Sequence, residues 1–139
     1  MVVILEKFSL DTQPEDIIDI TPEIKKKLDS CGLTQGIVCI FTASSTSAIS
    51  TTEYEPGLIK GDIPAFLEKI IPYDRNYEHH KTWGDHNGGG HLRSFLLNPS
   101  LTIPFTASNL ILGTWQQIIF LEMDEKPRTR LIYCQFIGE

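Results

Sequence analysis

The last third of the chain is a succession of short apolar runs with no room for a helix between them. Leu101–Phe105, Leu110–Leu112, Thr114–Glu122 and Leu131–Ile137 each cluster or alternate apolar residues at strand spacing. Asp124-Glu125-Lys126-Pro127 makes the last turn between them. Links this short join antiparallel neighbours, because a parallel pair needs a crossover of about a dozen residues. Upstream, residues 2–8 and Ile17–Ile20 also read as strands. Gly36 to Phe41 (GIVCIF) is continuously apolar, as expected of a central strand buried on both faces. Ser44 to Tyr54 is expected to be extended, until Glu55-Pro56-Gly57 breaks it.

Helical signals are fewer. Thr21-Pro22-Glu23 is a good start: Thr can cap free N–H groups, Pro suits the first turn, and Glu complements the positive end of the dipole. Ile24 and Leu28 share one face, and Gly32 is placed to end the helix in a left-handed conformation. Ile63–Ile71 sets Phe66, Leu67, Ile70 and Ile71 at helical spacing, and His91–Leu97 forms a short helix with Leu92, Phe95 and Leu96 as its buried side. Strands outnumber helices. The expected fold class is therefore α+β: one domain over residues 1–139, a largely antiparallel β-sheet with packed helices.

Charge excludes some functions. The formal net charge is −6, which argues against nucleic-acid binding. The basic runs Lys25-Lys26-Lys27 and Arg128-Thr129-Arg130 are short and sit beside acids, so they read as a solvated helix face and a turn. No apolar run approaches the roughly 20 residues that cross a bilayer. The N-terminus lacks a basic region and a small-residue cleavage site, so a cytoplasmic protein is expected. Cys31, Cys39 and Cys134 are too few and too widely spaced for a disulfide framework or a CxxC site, and read as structural thiols.

Residues 72–90 read as the one long irregular stretch, and such stretches are often functional. All four histidines fall nearby, His79, His80, His86 and His91, with Asp85 and Asn87 among them. Imidazole and carboxylate suit zinc and related ions. The same groups can serve as acid and base near neutral pH. His91 is the strongest candidate, because it follows Gly88-Gly89-Gly90, whose N–H groups could meet an anion at a helix start. Solvated surface histidines are the plainer alternative. Ser44-Ser45-Thr46-Ser47 follows a strand and could hold phosphate or carboxylate, or be a polar turn. Glu53 could be a general base, although acids near Pro-Gly are commonly solvated. Trp115 in Gly113-Thr114-Trp115-Gln116 suggests packing, and Gln116 could orient a ligand.

Taken together, these stretches resemble the YjbQ-like family, also named secondary thiamine-phosphate synthase. The resemblance rests on Ser44-Ser45-Thr46-Ser47-Ala48 with Glu53, Tyr77-x-His79, Gly84-Asp85-His86-Asn87 through His91, Ser100–Pro104, and Leu112-Gly113-Thr114-Trp115-Gln116. It spans roughly residues 41–122 and implies a compact α+β domain that assembles as a homotrimer with a pocket between subunits. It also implies a weak thiamine-phosphate synthase activity, joining a pyrimidine diphosphate to a thiazole phosphate. The pocket residues it implies are His79, Asp85, Asn87, His91 and the Ser/Thr stretch from Ser45, with a divalent ion, zinc or magnesium, at His79 and His91. Many members have His where this chain has Ser44, so metal affinity is expected to be weaker or Glu53 or Asp85 to substitute.

Two functions follow as expectations. One is an enzyme acting on small phosphorylated compounds. Ser45, Thr46 and the amides near Gly90 would hold phosphate. His79 and His91 would bind the ion or move protons, with Asp85 orienting them and Asn87 beside them in the catalytic set, and Glu53, Trp115 and Gln116 would contact ligand. Arg93 is the nearest cation to neutralise a diphosphate. The other is a non-catalytic homotrimeric module that binds a small metabolite or metal ion in the same pocket. A purely structural protein would leave the clustered histidines without a role.

Overall fold

The structure is a computed structural model that describes residues 1–139. In chain order the elements are β1 (Val2–Thr12), β2 (Ile17–Asp19), α1 (Thr21–Cys31), β3 (Gln35–Thr42), β4 (Ser47–Glu53), α2 (Ile63–Ile70), α3 (His80–Trp83), α4 (Gly88–Leu97), β5 (Ser100–Thr106), β6 (Asn109–Leu110), β7 (Gln116–Glu122) and β8 (Arg128–Gly138). A π-helical turn, Leu58–Asp62, leads into α2. Every strand pairing is antiparallel. The strands divide into a five-stranded sheet ordered β1-β8-β3-β5-β6 and a three-stranded sheet ordered β2-β7-β4. The chain is thus an α+β domain with two antiparallel sheets where the sequence suggested one.

The main core lies between the sheets. Val38, Ile40, Ile103, Phe105, Ile132, Cys134 and Phe136 from the larger sheet meet Ile49, Ile118 and Phe120 from the smaller. Ile20, Ile24 and Leu28 of the α1 region close the end. A second cluster, Ala48, Leu67, Ile119, Leu121 and Met123, packs α2 against the other face of the smaller sheet. So β7, not β3, is the strand buried on both faces: Ile118 through Glu122 are all buried. In β3 only Val38, Ile40 and Thr42 are buried, and Ile37 and Phe41 face outward. Continuous apolarity in GIVCIF therefore reports an inward face plus an exposed apolar outer face.

Helix α1 ends as expected, with Gly32 at φ 67°. Its start differs. Thr21 caps nothing, because its hydroxyl accepts the Ile118 N–H at 2.8 Å. The Asp19 carboxylate takes the Thr21 N–H instead, at 2.9 Å.

The 72–90 stretch is more regular than its composition suggests. It contains α3, and α4 begins at Gly88, so the three glycines are the first turn of a helix. The buried side of α4 is Gly88, Gly89, Gly90, Arg93 and Ser94. Leu92, Phe95 and Leu96 are exposed, Phe95 by 83%. The reason is close packing: a Cβ on Gly90 would stand 2.0 Å from the Met123 carbonyl oxygen. Only glycine lets the helix approach the end of β7 so nearly. Ser94 secures the same face, donating to the Ser47 carbonyl at 2.6 Å.

Candidate functional site

The close approach of α4 to β7 brings four chain segments to one cavity of about 370 Å³. The loop after β3 supplies Ser44, Ser45 and Thr46; the start of α4 supplies Asn87 and His91; the end of β7 supplies Asp124; and β8 supplies Arg128 and Arg130. The Met123 N–H bonds the Thr46 carbonyl at 2.9 Å, fixing the first segment to the third.

Both arginines are paired. Arg130, whose side chain is 12% exposed, grips the fully buried Glu122. Its Nε and Nη2 donate to the two Glu122 oxygens at 2.7 and 2.6 Å. Nη1 donates to Ser44 Oγ at 2.7 Å and Nη2 to Thr46 Oγ1 at 2.9 Å. Arg128 lies on the same face two residues earlier and is about half exposed, with its Nε and Nη2 at 2.9 and 2.7 Å from Asp124 Oδ2. Asp124 also accepts from the Glu125 N–H at 2.8 Å, Thr46 Oγ1 at 3.2 Å and Asn87 Nδ2 at 3.3 Å. Burial works to raise the Asp124 carboxyl, but those N–H donors and the Arg128 charge outweigh it and hold its pKa below the usual 3.8. Reading Arg128-Thr129-Arg130 as a solvated turn is therefore corrected. Glu122, Asp124, Arg128 and Arg130 were not singled out, although E-x-D and R-x-R flanking a turn place each pair on one side of extended chain.

The histidines form a contiguous string. The rings of His91 and His79 are 4.5 Å apart, those of His79 and His80 6.4 Å, and those of His80 and His86 5.2 Å. His80 Nε2 accepts the Gly88 N–H at 3.1 Å. That engages the first free amide of α4, so the glycine run is a packing device before it is an anion site, and Gly90 is buried.

His79 Nδ1 lies 3.2 Å from Asp85 Oδ1. The two atoms are not aligned for a hydrogen bond, and they, with Asn87 Oδ1, are buried without any partner. Two donors on one tetrahedral ion at about 2.0–2.1 Å lie about 3.3 Å apart. The His79–Asp85 spacing thus fits adjacent ligands of a divalent ion, and the Asn87 oxygen two residues beyond Asp85 is likewise without a partner. No three His, Cys, Asp or Glu side chains are grouped at metal-binding range, so the chain alone offers a partial shell. Ser44 here anchors Arg130.

The other expected residues lie elsewhere. Glu53 stands opposite Gln116 at the far end of the β4–β7 ladder, while Ser47 opposite Glu122 marks the cavity end. Gln116 is tied to the Gly113 N–H at 2.9 Å and to Thr51 Oγ1 at 3.0 Å. Trp115 precedes β7 and is 71% exposed, so it is not core. Arg93 is buried away from the cavity. It stacks 3.8 Å from the Tyr73 ring centre and binds the Ile71 carbonyl and Glu68 at 2.8 and 2.7 Å. Beneath it, burial pushes the Tyr73 hydroxyl up to about 12. No helix is long and apolar enough to cross a membrane.

Known proteins resemble this chain along most of its length. A UPF0047 protein from Archaeoglobus fulgidus is 40% identical over 117 residues, covering 84% of this chain and 87% of its own. UPF0047 protein YugU from Bacillus subtilis is 31% identical over 127 residues, 91% of this chain and 93% of its own. A crystal structure of a YbjQ-like protein of unknown function from Sulfolobus solfataricus matches with a TM-score of 0.89 at 28% identity, covering 99% of this chain and 100% of that one. The family profile described as "UPF0047 protein YjbQ-like" matches residues 6–139, and the chain belongs to that family.

Proposed function

We propose that the chain is an enzyme that acts on a small phosphorylated metabolite bound in the cavity between the Ser44–Thr46 loop, the start of α4 and β8. One observation carries the reading: hydroxyls, two guanidinium groups and an imidazole line a single cavity. Exposed Ser45 and the free N–H groups of Arg128 are the donors for phosphate. His91, on the same wall, is the group that gives or takes a proton at the reacting atom. His79, stacked on His91 and beside Asp85, orients it. A divalent ion, zinc or magnesium, would be held by His79 and Asp85 with Asn87. When bound, it would polarise a phosphoryl oxygen. Thiamine-phosphate synthesis is the particular transfer the family resemblance suggests.

A homotrimer is part of the same proposal. Val3, Leu5, Ile37 and Phe41 on the outer sheet face, and Leu92, Phe95 and Leu96 on α4, are large apolar side chains exposed in one chain. A neighbouring copy would cover them. Its exposed Trp115 would then be free to reach a cavity that this chain's own Trp115 cannot.

The test is His91→Ala assayed for turnover and for binding of phosphorylated compounds. The enzyme reading expects turnover to fall at least about 100-fold, the usual worth of a positioned acid–base group. Weakened binding with no turnover in either protein would favour the non-catalytic module.

A further inference from the structure

Strand β1 lies at one edge of the larger sheet and runs for 11 residues without a Pro or a Gly. It pairs with β8 on one side, and no other element bonds its main chain. Such an edge presents a row of unpaired N–H and C=O groups, the template on which a further strand adds. Val3, Leu5, Lys7, Ser9 and Asp11 point outward and are exposed, while Phe8 and Leu10 are half-buried against the core. Lys7 and Asp11 are the charged residues of that outer face, and neither has an ion-pair partner within the chain. Glu6, on the inner face, is already matched by Lys27 at 3.0 Å. Asp11 accepts only the Thr129 hydroxyl, at 2.8 Å.

We infer that the β1 edge is a self-recognition surface that pairs antiparallel with β1 of a second copy, about a two-fold axis at Ser9. Two copies of one strand can pair in several registers, but only those that oppose positions of the same face keep the inner side chains inward. Centring on Lys7 or on Asp11 sets like charges across from each other, which is destabilising. Centring on Ser9 sets Lys7 of each copy across from Asp11 of the other, and no other register opposes opposite charges. It also brings Phe8 and Leu10 together in reciprocal pairs on the inner face. An edge lysine ordinarily deters strand addition. Here Asp11, on the same face of β1, makes it select a partner and a register instead. Two sheets of five strands would become one of about ten, within the usual range. The contact is isologous and uses the strand edge. It is therefore separate from the sheet face and the α4 residues of the proposed trimer, and independent of what the cavity binds.

The experiment is oxidative cross-linking of the full chain, read on a denaturing gel without reductant. Ser9→Cys puts two thiols directly opposite each other at the axis, where antiparallel neighbours stand at disulfide range. It should give a covalent dimer at least about ten-fold faster than Lys25→Cys, an exposed position on α1 that serves as control. In the Ser9→Cys background, Lys7→Glu opposes acids at both ends of the pairing and should slow cross-linking about ten-fold. Adding Asp11→Lys re-forms both ion pairs with their signs exchanged and should restore the rate. All four positions are exposed, so the fold is expected to persist in each variant. Equal rates for Ser9→Cys and Lys25→Cys overturn the inference, as does a Lys7→Glu defect that Asp11→Lys fails to rescue.

Discussion

Arg130 holds both oxygens of Glu122, at 2.6 and 2.7 Å, where Glu122 has no solvent exposure. The pair joins β8 of one sheet to β7 of the other, and Thr12 Oγ1 of β1 completes it at 2.7 Å from Glu122. Breaking a buried pair strands the other charge, which costs about 3–5 kcal/mol. Arg130→Met and Glu122→Leu should each destabilise by that order in denaturant unfolding. The double substitution should cost clearly less than the sum of the two. Additive losses would mean that the pair does not act as a unit.

Gly90 tests the helix approach. Its alanine would press on the Met123 carbonyl, so Gly90→Ala should destabilise by about 1–3 kcal/mol as an overpacked contact. Gly61, in the π-helical turn, has open space where a Cβ would stand. There alanine should be neutral or stabilising by up to about 1 kcal/mol through a stiffer unfolded chain. Thermal melts of the two variants give the comparison, and equal shifts would contradict it.

Acid should loosen the site through Asp124. Its folded pKa is depressed below 3.8. The native state therefore binds its proton less readily than the unfolded state does. The resulting stability is fully present above that ordinary value and is lost as pH falls through the lower folded one. Unfolding free energy measured down from pH 5 should drop below about pH 4. In Asp124→Asn the drop should be shallower. An identical slope would assign acid sensitivity to other carboxylates.

Phe95→Asp addresses assembly. Phe95 is exposed on α4 and contributes nothing to the core of one chain. The proposed homotrimer predicts that the parent sediments as a trimer and that the substitution leaves the fold intact while giving smaller species in analytical ultracentrifugation. An unchanged mass would place the interface elsewhere.

Much of this was legible in the sequence. Period-two runs gave the strands and their antiparallel pairing, because short turns leave no alternative. The Ser44–Thr46 loop, Asn87 and His91 were expected to share one pocket, and they line one cavity. Other features depend on contacts between distant segments. Arg128 and Arg130 look like solvated turn residues until β7 delivers Glu122 and Asp124 to them. The inward side of α4 was misassigned because its glycines and Arg93, not Leu92 and Phe95, face the fold. Apolarity normally marks the buried face, but here close backbone packing and an arginine stacked on Tyr73 reverse it. Separation of Trp115 and Gln116 from the cavity is a matter of strand length, which no local motif encodes.

The most direct measurement of the central claim is a titration of isotope-labelled protein with inorganic phosphate in the presence of magnesium, followed by amide chemical shifts. Saturable shifts at Ser45, Thr46, Asn87, His91 and Arg128 are predicted. Saturable shifts elsewhere with these residues still, or no saturable shifts at all, would contradict a phosphate site in this cavity.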